Sequence, residues 1–148
     1  MGDGFGTYIK IDSMIIKEKS IFNIGSSYLC FSYDIYLNEQ NNKKSKKFLF
    51  LTIFNKEKKF EPLVLGKDKT KYTIGRTNIS DIQIDDILLS KINCTLTYND
   101  DLWKMKDGDE KGNKSTSGTW FYALDDNEIF NNMNFKSNKY NFYCKFSK

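Results

Sequence analysis

The chain is 148 residues long, with 39% hydrophobic, 16% aromatic and 28% charged residues and a formal net charge of +4. That length suits one ordinary domain with something attached and is enough to bury a core. The modest charge excess, interspersed outside one lysine run, argues against nucleic acid as a partner. The absence of histidine removes the commonest general base and neutral metal ligand, so neither a hydrolase nor a zinc site is expected.

The abundance of Phe, Tyr and β-branched residues points to strands, and hence to an all-β protein. Cys30, Cys94 and Cys144 are odd in number, far apart and free of Cys-x-x-Cys pairing. They read as reduced, buried thiols of an intracellular protein, cytoplasmic or nuclear. No signal-peptide pattern is present, and no apolar run approaches the ~18 residues of a membrane span. A soluble chain without a membrane partner is expected. In that setting the sequons beginning at Asn78, Asn93 and Asn113 carry no meaning.

In chain order, residues 1–36 hold a strand-like run from Thr7 to Ile11, a turn region of acidic and basic residues, and a second run from Ile21 through Gly25 to Tyr33. This strand hairpin shows a weak repeat of the C-terminus. Gly6-Thr7-Tyr8-Ile9 aligns with Gly118-Thr119-Trp120-Phe121, Tyr28 with Tyr140, and Cys30-Phe31 with Phe142-Tyr143. An unrelated N-terminal hairpin is the alternative. Residues 37–47, LNEQNNKKSKK, are polar and aperiodic and read as a linker or exposed loop. A basic patch or localisation signal is the second reading of Lys43, Lys44, Lys46 and Lys47.

From Phe48 onward the strands come quickly: Phe48 to Phe54, Phe60 to Leu65, Tyr72 to Ile74, Ile82 to Ile84, Ile92 to Tyr98, Leu102 to Met105, Thr119 to Ala123, Glu128 to Phe130 and Tyr140 to Phe146. Many short strands separated by Asn, Asp and Gly turns predict an antiparallel β-sandwich. Pro62 places its strand at an edge.

The stretch from Tyr72 to Asn93, YTIGRTNISDIQIDDILLSKIN, is the centre of the argument. Tyr72/Ile74 and Ile82/Ile84 look like closely spaced antiparallel strands. Gly75 permits a bend or a close approach, and Arg76 follows it at a strand end. The guanidinium needs a partner, either a ligand or one of Asp81, Asp85 and Asp86. Further on, Ser90-Lys91 opens the alternation Ile92, Cys94, Leu96, Tyr98, which could bring a hydroxyl and an ammonium to the same edge.

Gly75-Arg76, then Ser90-Lys91-Ile92-Asn93, then Ser115-Thr116-Ser117-Gly118-Thr119 ahead of Trp120-Phe121-Tyr122 together resemble the forkhead-associated (FHA) domain. That family's signature is Gly-Arg, Ser-x-x-His and Asn-Gly, usually within Ser-x-Asn-Gly-Thr. The resemblance spans roughly residues 48–148. Asn93 stands where the family has His, and Ser117 where it has Asn. The resemblance implies an FHA-type sandwich with additional N-terminal strands. Residues 1–36 would then resemble the C-terminal half of a second such unit without a phosphate site. A half sandwich must pack on the complete domain, pair with a second copy or belong to an upstream domain.

The same resemblance implies a phosphothreonine-containing protein or peptide as ligand. Arg76 would face the phosphate or the peptide backbone with its fork of donors. Ser90 would donate to a phosphate oxygen, and Lys91 would add charge or touch the peptide. Thr116 and Ser117 would hold the peptide main chain, although a hydroxyl reaches less far than a carboxamide. Gly75, Asn93, Gly118 and Thr119 would shape the loops, with Asn93 bonding them together. Leu88 and Leu89 read equally as a shallow pocket or as core. Asp107-Gly108-Asp109-Glu110 with Asn113 lacks the spacing of a calcium loop and reads as a solvated turn. No cofactor, metal or catalytic residue is expected. A signalling adaptor that binds phosphothreonine peptides is the first reading. A phosphate-independent scaffold, homo-oligomeric or packed through the N-terminal segment, is the second.

Overall fold

The computed structural model describes residues 6–35, 47–123, 127 and 130–147. Its strands, numbered in chain order, form two sheets. The first, of eight strands, carries from edge to edge β13 (Tyr140–Cys144), β12 (Met133–Ser137), β1 (Thr7–Lys10), β11 (Trp120–Tyr122), β3 (Ser20–Ile24), β4 (Ser27–Ile35), β5 (Lys47–Phe54) and β6 (Leu63–Leu65). The second, of five, runs β2 (Ser13–Ile15), β10 (Leu102–Asp107), β9 (Cys94–Asn99), β7 (Lys71–Gly75) and β8 (Ile82–Gln83). Alternation along each strand sets the core: β10 buries Trp103, Met105 and Asp107 and exposes Leu102, Lys104 and Lys106. Phe22, Leu29, Phe31, Leu49 and Leu51 join them in one apolar cluster with Ile74 and Leu96. The molecule is an all-β sandwich, as its strand pattern predicts.

Residues 6–35 are built into this sandwich. β3 and β4 lie between β11 and β5, and β4 pairs with β5 from Tyr28–Phe54 to Ile35–Lys47. Of the arrangements open to a half sandwich, packing on the same chain is the one present. The expected linker lies outside the described residues except for Lys47, which opens β5.

The internal repeat takes a spatial form. β1 and β11 are antiparallel neighbours, Tyr8 opposite Tyr122 and Lys10 opposite Trp120. The β3–β4 hairpin continues from β11, and the β12–β13 hairpin continues from β1. The two copies are thus related by an approximate twofold between β1 and β11, each central strand carrying the other copy's hairpin. The alignment of the hairpins shifts, however. Asn23 pairs with Trp120 and Lys136 with Tyr8, so Asn23 and Lys136 are equivalent. Their cross-strand partners Tyr28 and Asn141 are then equivalent as well. The residue identity Tyr28/Tyr140 therefore does not survive, because a one-residue slip puts the two rings on opposite faces. β4 finds β5 at its far side, whereas its counterpart β13 is an open edge. There Tyr140, Phe142 and Tyr143 are 60%, 46% and 57% exposed.

Other expectations change too. β7 and β8 pair in parallel, Ile74 with Ile82 and Gly75 with Gln83. Loop 76–81 carries the chain back before β8 begins, and Ile84 N–H then bonds to Gly75 O. Alternation marks faces and not strand direction. The strand expected from Phe60 shortens to β6, an edge strand just after Pro62. β12 and β2 were not foreseen. Of the strand expected at Glu128 to Phe130, residues 128–129 lie outside the described residues, and Phe130 is not in a strand. All three cysteines are free thiols, but only Cys94 is fully buried, and burial pushes it well above the usual thiol range. Cys30 and Cys144 are half-buried.

The outer face of the large sheet carries an unusual cation. Lys136 Nζ donates to Asn23 Oδ1 and sits 4.5 Å from the centroid of the Trp120 ring and 5.6 Å from that of Tyr8. Asn23 is fixed by its own donors, which reach Gly25 O and Ser27 O. Burial pulls the Lys136 amine down from 10.5 to about 8 and pushes the neighbouring Tyr8 phenol up to about 12.

Two predictions follow from this architecture. A chain of residues 47–148 alone loses Phe22, Leu29 and Phe31 from the core, and it is expected to show no cooperative thermal transition by circular dichroism. The Lys136 charge opposes folding below pH 8. Between pH 8 and 10.5 the folded state releases a proton that the unfolded chain keeps, so this group makes stability rise with pH there. Lys136→Met is expected to raise Tm at pH 7 and to flatten that rise, measured as the difference between variant and parent melts at pH 7 and 10.

Candidate functional site

The loops after β7, β8 and β10 meet at one end of the sandwich. The first is pinned by close approach: a Cβ on Gly75 would stand 2.0 Å from the Lys91 carbonyl oxygen, so only glycine fits. Arg76 N–H then donates to Ser90 O at 3.0 Å, and Ser80 Oγ donates to Lys91 O at 2.8 Å. Gln83 Nε2 holds the Arg76 carbonyl at 3.2 Å. These bonds fix the backbone of the Gly-Arg turn against the Ser-Lys turn.

The aspartates nearby are engaged elsewhere. Asp81 accepts from Thr73 N–H and Oγ1 and pairs with Lys69. Burial pushes its carboxyl up, but the Lys69 and Thr73 donors outweigh that and hold it below the usual range. Asp86 accepts from Leu88 N–H and from Ser26 and Ser27, which ties this loop to the β3–β4 turn. Its carboxyl is likewise pushed up by burial and held low by those donors. The half-buried Arg76 guanidinium has no hydrogen bond or ion pair among the described residues.

Asn93 is fully buried at the junction. Its Oδ1 accepts from Ser90 N–H at 3.2 Å, and its Nδ2 donates to Gly118 O at 3.4 Å. Its backbone bonds to Ile74 O and Gly108 N–H, both at 2.8 Å. One residue thus ties the second and third loops to each other and to β7. Ser90 Oγ accepts from Thr116 N–H at 2.9 Å and lies 3.3 Å from Thr116 Oγ1, to which it donates. Lys91 is exposed, as is Thr116.

The third loop hangs from a carboxylate. Asp107 is buried and accepts from Ser115 N–H and Oγ and from Thr119 Oγ1. Ser115 Oγ in turn accepts from Gly118 N–H at 2.9 Å, and Gly118 has the left-handed φ of +84°. The solvated turn expected at Asp107 is therefore corrected: Asp109 caps Asn113 at the surface, but Asp107 points into the fold's polar interior. Its signal was in the sequence, since Asp107 falls in phase with Trp103 and Met105 on the buried side of β10. The organising role of Asp86 had no such signal, because its partners Ser26 and Ser27 lie 60 and 59 residues away in sequence.

Arg76, Ser90, Lys91 and Thr116 are brought together, and Ser117 sits beside them with its hydroxyl buried and without a partner among the described residues. Its carbonyl accepts from Trp120 Nε1 at 2.8 Å. Leu89 is core, whereas Leu88, Ile87 and Ile79 are exposed near the loops.

Residues 72–133 match the family model of the FHA domain. The match runs from β7 to the first residue of β12 and contains all three loops. No curated protein and no solved structure matches the chain. FHA domains are phosphopeptide-binding interaction modules and not enzymes. This match, together with the motifs and the sandwich, identifies residues 72–133 as an FHA-domain stretch.

Proposed function

We propose that the chain is a signalling adaptor whose three-loop end binds phosphothreonine peptides without catalysing a reaction. The observation that carries this reading is the Arg76 guanidinium, without a hydrogen bond or ion pair among the described residues, on a turn whose backbone bonds to Ser90, with every nearby aspartate but Asp85 bonded elsewhere. A phosphothreonine brings about −1.5 to −2 charges and three acceptor oxygens, which a guanidinium fork and an ammonium can meet. Ser90 Oγ shares its proton with Thr116 over a long 3.3 Å contact, so a phosphate oxygen competes well for it. Thr116 lies where a peptide main chain would pass. The buried Ser117 hydroxyl offers that chain less than a carboxamide would. A phosphothreonine ligand and three free thiols fit an intracellular setting, cytoplasmic or nuclear.

A phosphothreonine peptide is expected to bind in calorimetry while its unmodified twin does not. Arg76→Ala should weaken binding by about 1.5–3 kcal/mol, or tenfold and more. Equal binding of both peptides would reject the reading.

A scaffold role has its own support in β13, a strand with exposed aromatics that is paired on one side only among the described residues and has no proline or lysine inside it. On this reading a second copy pairs edge to edge, independently of phosphate. Light scattering after gel filtration is expected to show a dimer that Tyr140→Lys with Phe142→Lys converts to monomer; a parent that is monomeric at high concentration excludes it.

A further inference from the structure

Lys136 and Lys10 converge on Trp120 without a counter-ion among the described residues. The Lys136 ammonium lies 4.5 Å and that of Lys10 5.8 Å from the Trp120 ring centroid. Neither makes an ion pair among the described residues. The strands that build this part of the sheet, β1, β3, β11, β12 and β13, contain no Asp or Glu. A half-buried ammonium with only aromatic faces and one amide oxygen for company lacks the compensation that buried charges usually have.

The patch adjoins the phosphate loops. Trp120 Nε1 donates to Ser117 O, and a Cβ on Gly118 would lie 2.9 Å from Lys10 Cε. From Thr116, which bonds to Ser90, to Trp120 the chain advances at most about 13 Å, the reach of about four extended peptide residues.

We infer that Lys10, Trp120 and Lys136 form a second subsite, which takes an aspartate or glutamate side chain of the same peptide whose phosphothreonine occupies the Arg76–Ser90 cup. The carboxylate supplies the missing counter-charge, and the indole face packs against its methylenes. This deepens the phosphopeptide reading and rests on it for the remainder of the peptide's affinity.

The test uses the full chain and three peptides: a phosphothreonine peptide with aspartates three to five residues to either side, the same peptide with asparagines, and the acidic peptide without phosphate. The parent is expected to bind the acidic phosphopeptide about tenfold more tightly than the asparagine one. Lys136→Met should erase that preference and leave the asparagine phosphopeptide unchanged, whereas Arg76→Ala should weaken both. No preference in the parent, or an equal loss of both peptides in Lys136→Met, overturns the subsite and leaves the cup standing.

A second readout is independent of the cup. Trp103 is fully buried, so the Trp120 indole N–H resonance is the tryptophan signal that follows this patch; because that N–H also bonds to Ser117 O, the peptide used carries no phosphate and leaves the cup empty. Millimolar unphosphorylated acidic peptide should shift it in the parent and not in Lys136→Met, even if no phosphopeptide binds. An unmoved resonance, or one moved only by single-stranded RNA or anionic vesicles, assigns the patch otherwise and overturns the inference.

Discussion

The binding end of this sandwich depends on the buried carboxamide of Asn93. Its oxygen and its amide group hold Ser90 and Gly118, while its main chain bonds β7 and the start of the β10–β11 loop. A side chain with both donor and acceptor is required there, because one loop presents an N–H and the other a carbonyl. In a buried place, either group left unmet costs about 1–3 kcal/mol. The family's histidine is replaced by a residue that can still meet both.

Around that tie the polar groups divide into two sets. Asp86 and Asp107 spend their oxygens on serines, threonines and backbone N–H groups, and so fix loop shape. Arg76 and Lys91 have no partner for their charged ends among the described residues. Loops held by neutral donors to buried carboxylates are stiff, and stiffness reduces the ordering cost of taking up a ligand. The exposed Ile79, Ile87 and Leu88 offer apolar contact at the same end.

The N-terminal strands change what the domain is made of. Without Phe22, Leu29 and Phe31 the five-stranded sheet would face an incomplete partner layer, so the site depends on residues outside the matched stretch of 72–133. The approximate twofold explains the surplus: there are two hairpins for one small sheet. β3–β4 is covered, β12–β13 is left with an open edge and exposed rings, and Lys136 extends from the uncovered copy toward Asn23 of the covered one. That charge is half-buried beside the loop of Ser117 and has no ion pair among the described residues.

The residues alone were enough for the all-β class, the three motif-bearing loops and the resemblance to the FHA domain. Each of those is a local pattern: alternation marks two faces, and Gly-Arg or Ser-x-x-Asn marks a turn within a few residues. Pairing is not local. That β8 runs parallel to β7, that residues 6–35 enter the middle of the large sheet, that the repeat slips by one residue in its hairpin and that Arg76 escapes its neighbouring aspartates were all decided by tertiary structure. In each case the deciding contact joins segments whose spacing along the chain carries no record of which face or edge they will share.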